Sequence, residues 1–427
     1  SGQVRVYHLD DSGSSLIWAQ VGNDIDGVAA GDFSGWSISL SSDGKSVAVG
    51  SPFNDDNGAD AGHARVFSVP SSSPITSASP PSSPTTFDWF NPTLSWDQQG
   101  LAITGDSAGD DFGMSVSISG DGMTLAIGAR VPVGPVELGA IGAPGVTDRP
   151  GYVEVYYKQP DSSWLLAETF TGEANGDEFG HSVTLSEDGK TLAVGAQYND
   201  GNGSSSGHVR VYNLDGSEWQ QVGQDIDGEA ATDWSGRSVS LSADGTTVAI
   251  GASLNDGNNG DNSGHVRVYN LVGISSEWQK IGQDIDGEAA CDYSGNSVSL
   301  SADGTTVAIG AHSNDDNGDK SGHVRVYNLV GSEWQKVGQD LDGEAAYTLS
   351  GTSVSLSADG TTVAIGNNKH DGNSNYSVHV RVYNLVGSEW QKIGQDIDGV
   401  AKNDYSSESV SLSADGTTVA IGSPYND

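Results

Sequence analysis

One fourteen-residue segment, present seven times, constrains this chain more than any other feature. The stretch 297–310, SVSLSADGTTVAIG, recurs almost unchanged at 238–251, 353–366 and 409–422, with looser copies at 37–50, 115–128 and 182–195. Anchored on Asp43, Asp121, Asp188, Asp244, Asp303, Asp359 and Asp415, the copies lie 78, 67, 56, 59, 56 and 56 residues apart. Such a period means that each copy is one supersecondary unit that needs its neighbours to bury its apolar face.

Each copy holds four runs of period two. Strand A is SVSLS, with Val298 and Leu300 on one face and the serines on the other. Asp303-Gly304 then predicts a tight hairpin turn, because glycine accepts the positive φ such turns need. Strand B is TTVAIG, strand C is HVRVY from His323 to Tyr327, and strand D is built around SEWQKIG from Ser332 to Gly338. No stretch has a 3.6-residue period. The expected fold is all-β, a seven-bladed β-propeller of four-stranded antiparallel blades, with residues 1–427 as a single domain.

The last copy stops after strand B, at Asn426-Asp427, and the missing strands C and D stand at the opposite end of the chain. Residues 1–22 are therefore expected to complete the blade of 409–427, closing the ring and removing an open edge. The register also fits an excerpt from a longer repeat array. Two insertions break the period. Residues 68–95 carry five of the 13 prolines between Pro70 and Pro84, and are expected to form an extended, O-glycosylated excursion. Residues 130–150 replace an acidic B–C loop with an apolar one. Its Val131, Val133, Val136, Leu138 and Ile141 are candidate partner-binding residues, since exposed apolar loops mark contact surfaces.

Charge narrows the function. With 57 Asp+Glu against 18 Lys+Arg, the formal net charge is −39. A surface of that sign repels phosphate, which excludes nucleic acid and anionic membranes as partners. No apolar run approaches the ~20 residues that span a bilayer, so direct membrane insertion is not expected. A single cysteine, Cys291, excludes an internal disulfide framework.

The charge is also localised. In an antiparallel blade the B–C loops and the D–A links emerge at the same end. The links hold 23 acids and the B–C loops 13, placing 36 of 57 on one face. Hard cations suit such loops, and Ca²⁺ takes about six to eight oxygens. In four copies the link reads D-x-D-G-[EV]-x-x-x-D, with acids at relative positions one, three and nine. The candidate Ca²⁺ ligands are thus Asp24, Asp26 and Asp32; Asp225, Asp227 and Asp233; Asp284, Asp286 and Asp292, with Glu288 at position five; and Asp396, Asp398 and Asp404. Asp315, Asn317 and Asp319 of a B–C loop form a second cluster.

Gly109-Asp-Asp-Phe-Gly-Met-Ser-Val116 and Gly176-Asp-Glu-Phe-Gly-His-Ser-Val183, with Gly50-Ser-Pro52, Gly128-Ala129, Gly195-Ala196 and Gly310-Ala311, resemble the FG-GAP repeats of integrin α-subunits and many secreted proteins. In the other copies Ser replaces the Phe, and an aromatic often sits one residue earlier, as at Phe33, Trp234, Tyr293 and Tyr405. SADGTTVAIG followed by VRVYNL also resembles WD-repeat strands, a second choice with the same architecture. The FG-GAP resemblance implies an extracellular propeller with calcium loops bearing oxygens at positions one, three, five and nine. Here the glycine falls at position four, and strands A and B are joined only by a turn.

Other residues repeat with the fold. Arg5, Arg65, Arg210, Arg267, Arg325 and Arg381 occupy strand C once per copy, with Glu154 the exception, and are expected to pair with an acid or carbonyl of a neighbouring blade. His63, His208, His265, His323 and His379 should be structural hydrogen bonders, leaving His312 and His370 as the isolated histidines. Trp164, Trp219, Trp278, Trp334 and Trp390 should pack the outer strands. GDSAG at 105–109 and GSSSG at 203–207 match the string G-x-S-x-G, but with no 3.6-residue period after either, no strand-to-helix nucleophile elbow is expected, and no Cys–His pair is recognisable. Asn202 and Asn375 open acceptor sequons for N-glycosylation. The expected function is a non-enzymatic extracellular or cell-surface module for adhesion or for matrix or filament assembly, Ca²⁺-assisted. It would meet a protein or glycan ligand, or further copies of the repeat, at its acidic face. The alternative is a lectin or a polysaccharide lyase or hydrolase on the same scaffold.

Overall fold

The computed structural model describes residues 1–70, 87–91, 93–131, 149–273, 277–368, 379–399 and 407–426. Among these residues there is no helix, and so none long and apolar enough to cross a membrane. The strands form seven antiparallel sheets, in each of which the order is A-B-C-D. The A strands of successive blades pack on one another in a closed cycle, so strand A lines the central channel and strand D the perimeter.

Blade five shows the pattern: Ser297–Leu300, Thr306–Ala311, His323–Val330 and Glu333–Lys336. Strand A alternates in burial, as its period-two sequence requires, with Val298 and Leu300 in the core. Strand B is buried at every position, because sheets cover both of its faces. Strand D is interrupted after Lys336 and resumes as Leu341–Asp342, which pairs with the start of strand C. Gly338 makes the break at φ +74°, and a Cβ there would lie 2.6 Å from the ring of Trp390 in blade six. That tryptophan is inserted into blade five: its Nε1 donates to the Val337 carbonyl at 2.9 Å, and its backbone is held by both ends of the Gln339 amide. Trp334, Trp278 and Trp18 repeat the joint. These four tryptophans are therefore fasteners between blades and are buried, whereas Trp164 and Trp219 are half-buried.

Around the channel the serines of strand A do the same. Ser37, Ser115, Ser182, Ser238, Ser297, Ser353 and Ser409 each donate a side-chain hydrogen bond, at 2.8 Å, to a backbone carbonyl of the following blade. The cycle closes when Ser409 reaches Gly35. At the A–B end, backbone amides form a second cycle of seven, from Ser42 through Gly120, Glu187, Ala243, Ala302 and Ala358 to Ala414 and back to Ser42. The seventh blade takes its A and B strands from Ser409–Leu412 and Thr418–Ser423. Its C and D strands are Gln3–Asp10 and Ile17–Gln20, with Gln3 to His8 pairing with Ser423 to Thr418. The ring is thus fastened by the amino-terminal strands, and neither side of strand B is left open.

Candidate functional site

The acidic end is more internally paired than a count of charges implies. In blades three, four, six and seven the break in strand D turns the position-one Asp back onto the arginine of strand C. Arg210 bonds Asp225 at 2.8 Å and reaches Glu173 of the preceding link, and Arg267 bonds Asp284 at 2.9 Å and reaches Glu229. Arg325 meets Glu288 at 3.0 Å, Arg381 meets Glu344 and Asp396, and Arg5 meets Asp24 at 3.2 Å. Arg65, whose blade lacks that glutamate, donates to the Asp26 carbonyl at 2.8 Å. Burial works against the charge of Asp284, but hydrogen bonds from Arg267 and Lys280 outweigh it and hold the carboxyl at about 2. The expected pairing of strand-C arginines with a neighbour holds for the bonds to Glu173, Glu229, Glu288, Glu344 and the Asp26 carbonyl, whereas those to Asp24, Asp225, Asp284 and Asp396 lie within the arginine's own blade.

The other acids of the link have different partners. At position nine, buried Asp32, Asp233 and Asp292 each accept the amide of the residue three before them and the side chain of Asn54, Asn255 or Asn314, at 2.9–3.1 Å. At position three, Asp26 accepts from Gln3 and Asp286 from Asn258, both at 3.0 Å, while the backbones of Asp227 and Asp398 stand opposite those of His208 and His379 in the ladder with strand C. In the B–C loop, Asp315 accepts the Lys320 amide at 2.7 Å, Asp319 accepts the Tyr347 hydroxyl, and Asn317 donates to the Gly343 carbonyl at 2.7 Å. Asp404 lies outside the described residues. Among those described, carboxylates and histidines share a ligand-sized space at four places. None of the four unites positions one, three and nine of a single link.

Two further placements differ from what the residues alone imply. Val131 is buried, packed into the core of blade two, so it is not available as an exposed contact. Val133, Val136, Leu138 and Ile141 lie outside the described residues. Asn202 is exposed, but its Nδ2 donates to the Gly228 carbonyl at 2.9 Å, the latch that Asn57, Asn259 and Asn317 also make. The sequon nitrogen thus has a structural task. Asn375 and His370 lie outside the described residues. The strand-C histidines are not hydrogen bonders throughout: both ring nitrogens of His63 and His323, and Nε2 of His208, are buried without a partner.

The channel mouth at this end carries the residues that differ from blade to blade. The position after the (Phe/Ser)-Gly step, which in the last copy is Ser406-Ser407, is Trp36, Met114, His181, Arg237, Asn296, Thr352 and Glu408. Consecutive members touch: Arg237 bonds His181 at 2.9 Å on one side and Asn296 at 3.4 Å on the other, so they form an arc about the axis. Two residues before that glycine, Phe33, Asp111, Glu178, Trp234, Tyr293 and Leu349 all adopt φ between 49° and 57°. A left-handed backbone costs a non-glycine residue about 1–2 kcal/mol, so six at one loop position mark a geometry the ring imposes.

Those backbones present two kinds of surface. Phe33, Trp36, Phe53 and Tyr425 form an aromatic cluster with ring centroids 4.5–6.5 Å apart. Tyr198 meets Trp234 edge-on at 5.2 Å, and Tyr293 stacks on His312 at 5.7 Å. The rest is polar: Arg130 with Asp111 at 3.2 Å, Gln197 with Glu178 at 2.7 Å, and Asn368 with Glu408 at 2.6 Å. Burial raises Asp111 to about 6 against the pull of Arg130, and raises Glu408 also. The aromatic before Ser-Gly was the one sign of this ring in the sequence. The left-handed backbone that gives it meaning was not visible there.

Burial holds His63, His181 and His312 at about 4, below the usual 6.5. The unfolded chain therefore takes up protons first. The stability that goes with the neutral rings is complete above 6.5 and is lost as pH falls towards 4. Asp111, raised to about 6, works in the opposite sense. His312→Gln is expected to flatten part of the fall in urea midpoint between pH 7 and 4.5. Identical slopes in variant and wild type would contradict the assignment.

The FG-GAP repeat family model matches residues 171–212, 226–269 and 284–327, each running from the end of one strand D through strand C of the next blade. No curated protein sequence matches the chain. Among solved structures, a protein of Bacteroides uniformis assigned as a 6-phosphogluconolactonase is 14% identical with a TM-score of 0.55, covering 93% of this chain and 96% of its own. The periplasmic gluconolactonase PpgL of Pseudomonas aeruginosa gives 16%, 0.55 and the same two coverages. Sqt1 of Chaetomium thermophilum is 15% identical with a TM-score of 0.50, covering 97% of this chain and 88% of its own. At these identities the likeness is one of fold.

Proposed function

We propose that this seven-bladed propeller, three of whose repeats match the FG-GAP family model, is a non-enzymatic, extracellular binding module that seats a neutral glycan at the channel mouth. One observation carries this reading. The blades share their fasteners almost residue for residue, yet the mouth positions differ in every blade and are held by six left-handed backbones. Aromatic faces from Trp36, Phe53 and Tyr425 near the half-buried guanidinium of Arg237 suit a sugar, which offers an apolar ring face and hydroxyls at its edge, while Gln197 and Asn368 lie buried behind them and hold Glu178 and Glu408. The charge of −39 disfavours anionic glycans. Asp111, Glu178 and Glu408 each already serve a neighbour, which suits orienting groups better than an acid and nucleophile pair.

Calcium enters this reading as an accessory at the exposed acids of the B–C loops, because those of the links are shared among arginine, asparagine and amide donors. Millimolar Ca²⁺ is therefore expected to raise the melting midpoint only slightly over chelated protein. The binding test uses a panel of neutral and anionic glycans. Trp36→Ala and Arg237→Ala should each weaken capture of the neutral ligand at least about tenfold while leaving the melting midpoint near wild type. Unchanged capture by both variants would refute the mouth as the site, and release of new reducing ends would replace binding with hydrolysis.

A further inference from the structure

Blade five holds a cluster that no other described blade completes. Glu288 of the link entering the blade, Asp316 of its B–C loop, His323 of strand C and Asp340 at the break in strand D each offer a ligand atom, all within 4.8 Å of one another. Glu288, Asp316 and Asp340 come from three separate connections. His323 is fully buried, and neither ring nitrogen has a hydrogen-bond partner. A buried imidazole normally satisfies at least its N–H. Burial, reinforced by Arg325, keeps this ring neutral near neutral pH, with a lone pair to give.

Comparison between blades shows what is particular here. Blades three and four have the histidine and two carboxylates (Glu173, His208 and Asp225; Glu229, His265 and Asp284), but glycine stands at 201 and 257 where blade five has Asp316. In those blades arginine bonds both carboxylates and fills the space. In blade five Arg325 is drawn aside, to Glu288 at 3.0 Å and the Asp286 carbonyl at 3.3 Å, while Lys336 takes Asp340 at 2.7 Å. Blade one has Asp56 and His63, but Val28 and Ala102 replace the other two acids.

We propose that Glu288, Asp316, His323 and Asp340 form a binding site for a first-row transition cation of the Zn²⁺ type, bridging the link from blade four to the sheet of blade five. One imidazole nitrogen with three carboxylate oxygens is a zinc-like donor set, whereas Ca²⁺ takes oxygen alone. Ligands at about 2.0–2.2 Å from an ion sit about 3.4 Å apart, so the group needs only a modest contraction. The three carboxylates exceed the charge of the divalent cation by one, and Arg325 and Lys336 keep their bonds to Glu288 and Asp340.

The experiment uses the full, tag-free chain with Zn²⁺, and with Co²⁺ as a spectroscopic probe. One equivalent of Zn²⁺ should bind by calorimetry, and Co²⁺ should give a visible absorption band that Zn²⁺ displaces. Asp316→Gly copies blades three and four, so it should fold with an unchanged metal-free midpoint yet bind Zn²⁺ at least about tenfold more weakly. His323→Gln should abolish the Co²⁺ band. Absence of binding at micromolar metal, or the same affinity in Asp316→Gly as in wild type, would overturn the site. A preference for Ca²⁺ with no Co²⁺ band would overturn its chemistry.

Discussion

Removal of residues 1–26 is expected to leave a chain that cannot close its ring. The deletion takes away strands C and D of blade seven and exposes one whole side of strand B, Thr418–Ser423, which pairs with Gln3 to His8. It also removes Val4, Val6, Trp18, Val21 and Ile25 from the core. At about 1.5–3 kcal/mol for each buried apolar side chain, the loss is on the order of 10 kcal/mol, comparable with the whole stability of an ordinary domain. Aggregation through the opened edge should follow. A circular permutant tests the cause. Ser1 and Gly2 both donate to the Asn426 carbonyl, at 3.1 and 2.8 Å, so a short linker can join the ends, with new termini at the exposed Gly216 turn. The permutant should be monomeric and cooperative by size exclusion and urea unfolding. A truncated chain that melts like the full one would mean that the amino-terminal strands do not fasten the ring.

Gly310→Ala should be the most damaging single substitution in the repeat. The added Cβ would stand 2.1 Å from the Gly351 carbonyl and 2.4 Å from Ser297 Oγ, the two atoms of the bond that joins blade five to blade six. The nearer atom is backbone and cannot rotate away, so the blades must separate. We expect a cost of about 3 kcal/mol or more, the upper range for overpacking. Gly331→Ala is the control: it has φ +67° but open space around it. Its expected cost is about 1 kcal/mol, that of a left-handed backbone alone. Equal denaturant midpoints for the two variants would show that the close approach carries no energetic weight.

These two results bear on different kinds of information. Glycine at the end of strand B was plain in every copy of the repeat, but its reason was not. A hairpin needs glycine at Gly304, where φ is +71°. Gly310 is required by a backbone 41 residues further along the chain, at Gly351. The serines of strand A were likewise legible as the polar half of an alternating strand, and only the ring shows that they reach the next blade. The calcium reading grouped acids by their spacing along one link. In space, Asp284 turns outward to strand C at the break in strand D, while Asp292 folds inward to cap its own loop and hold Asn314.

The sequence by itself determined the strands, the number of blades, the order A to D and the exchange of strands between the two ends. All of these follow from period-two patterning and turn chemistry, which act over a few residues and are written seven times. Tertiary structure alone decided which charges are spent and which groups meet. Arg267 finds Glu229 of one link and Asp284 of the next, and Glu288, Asp316, His323 and Asp340 gather from four separate segments. Coulomb and ligand contacts operate over a few ångströms, and in a propeller those ångströms lie between blades, across separations in sequence that no local pattern records.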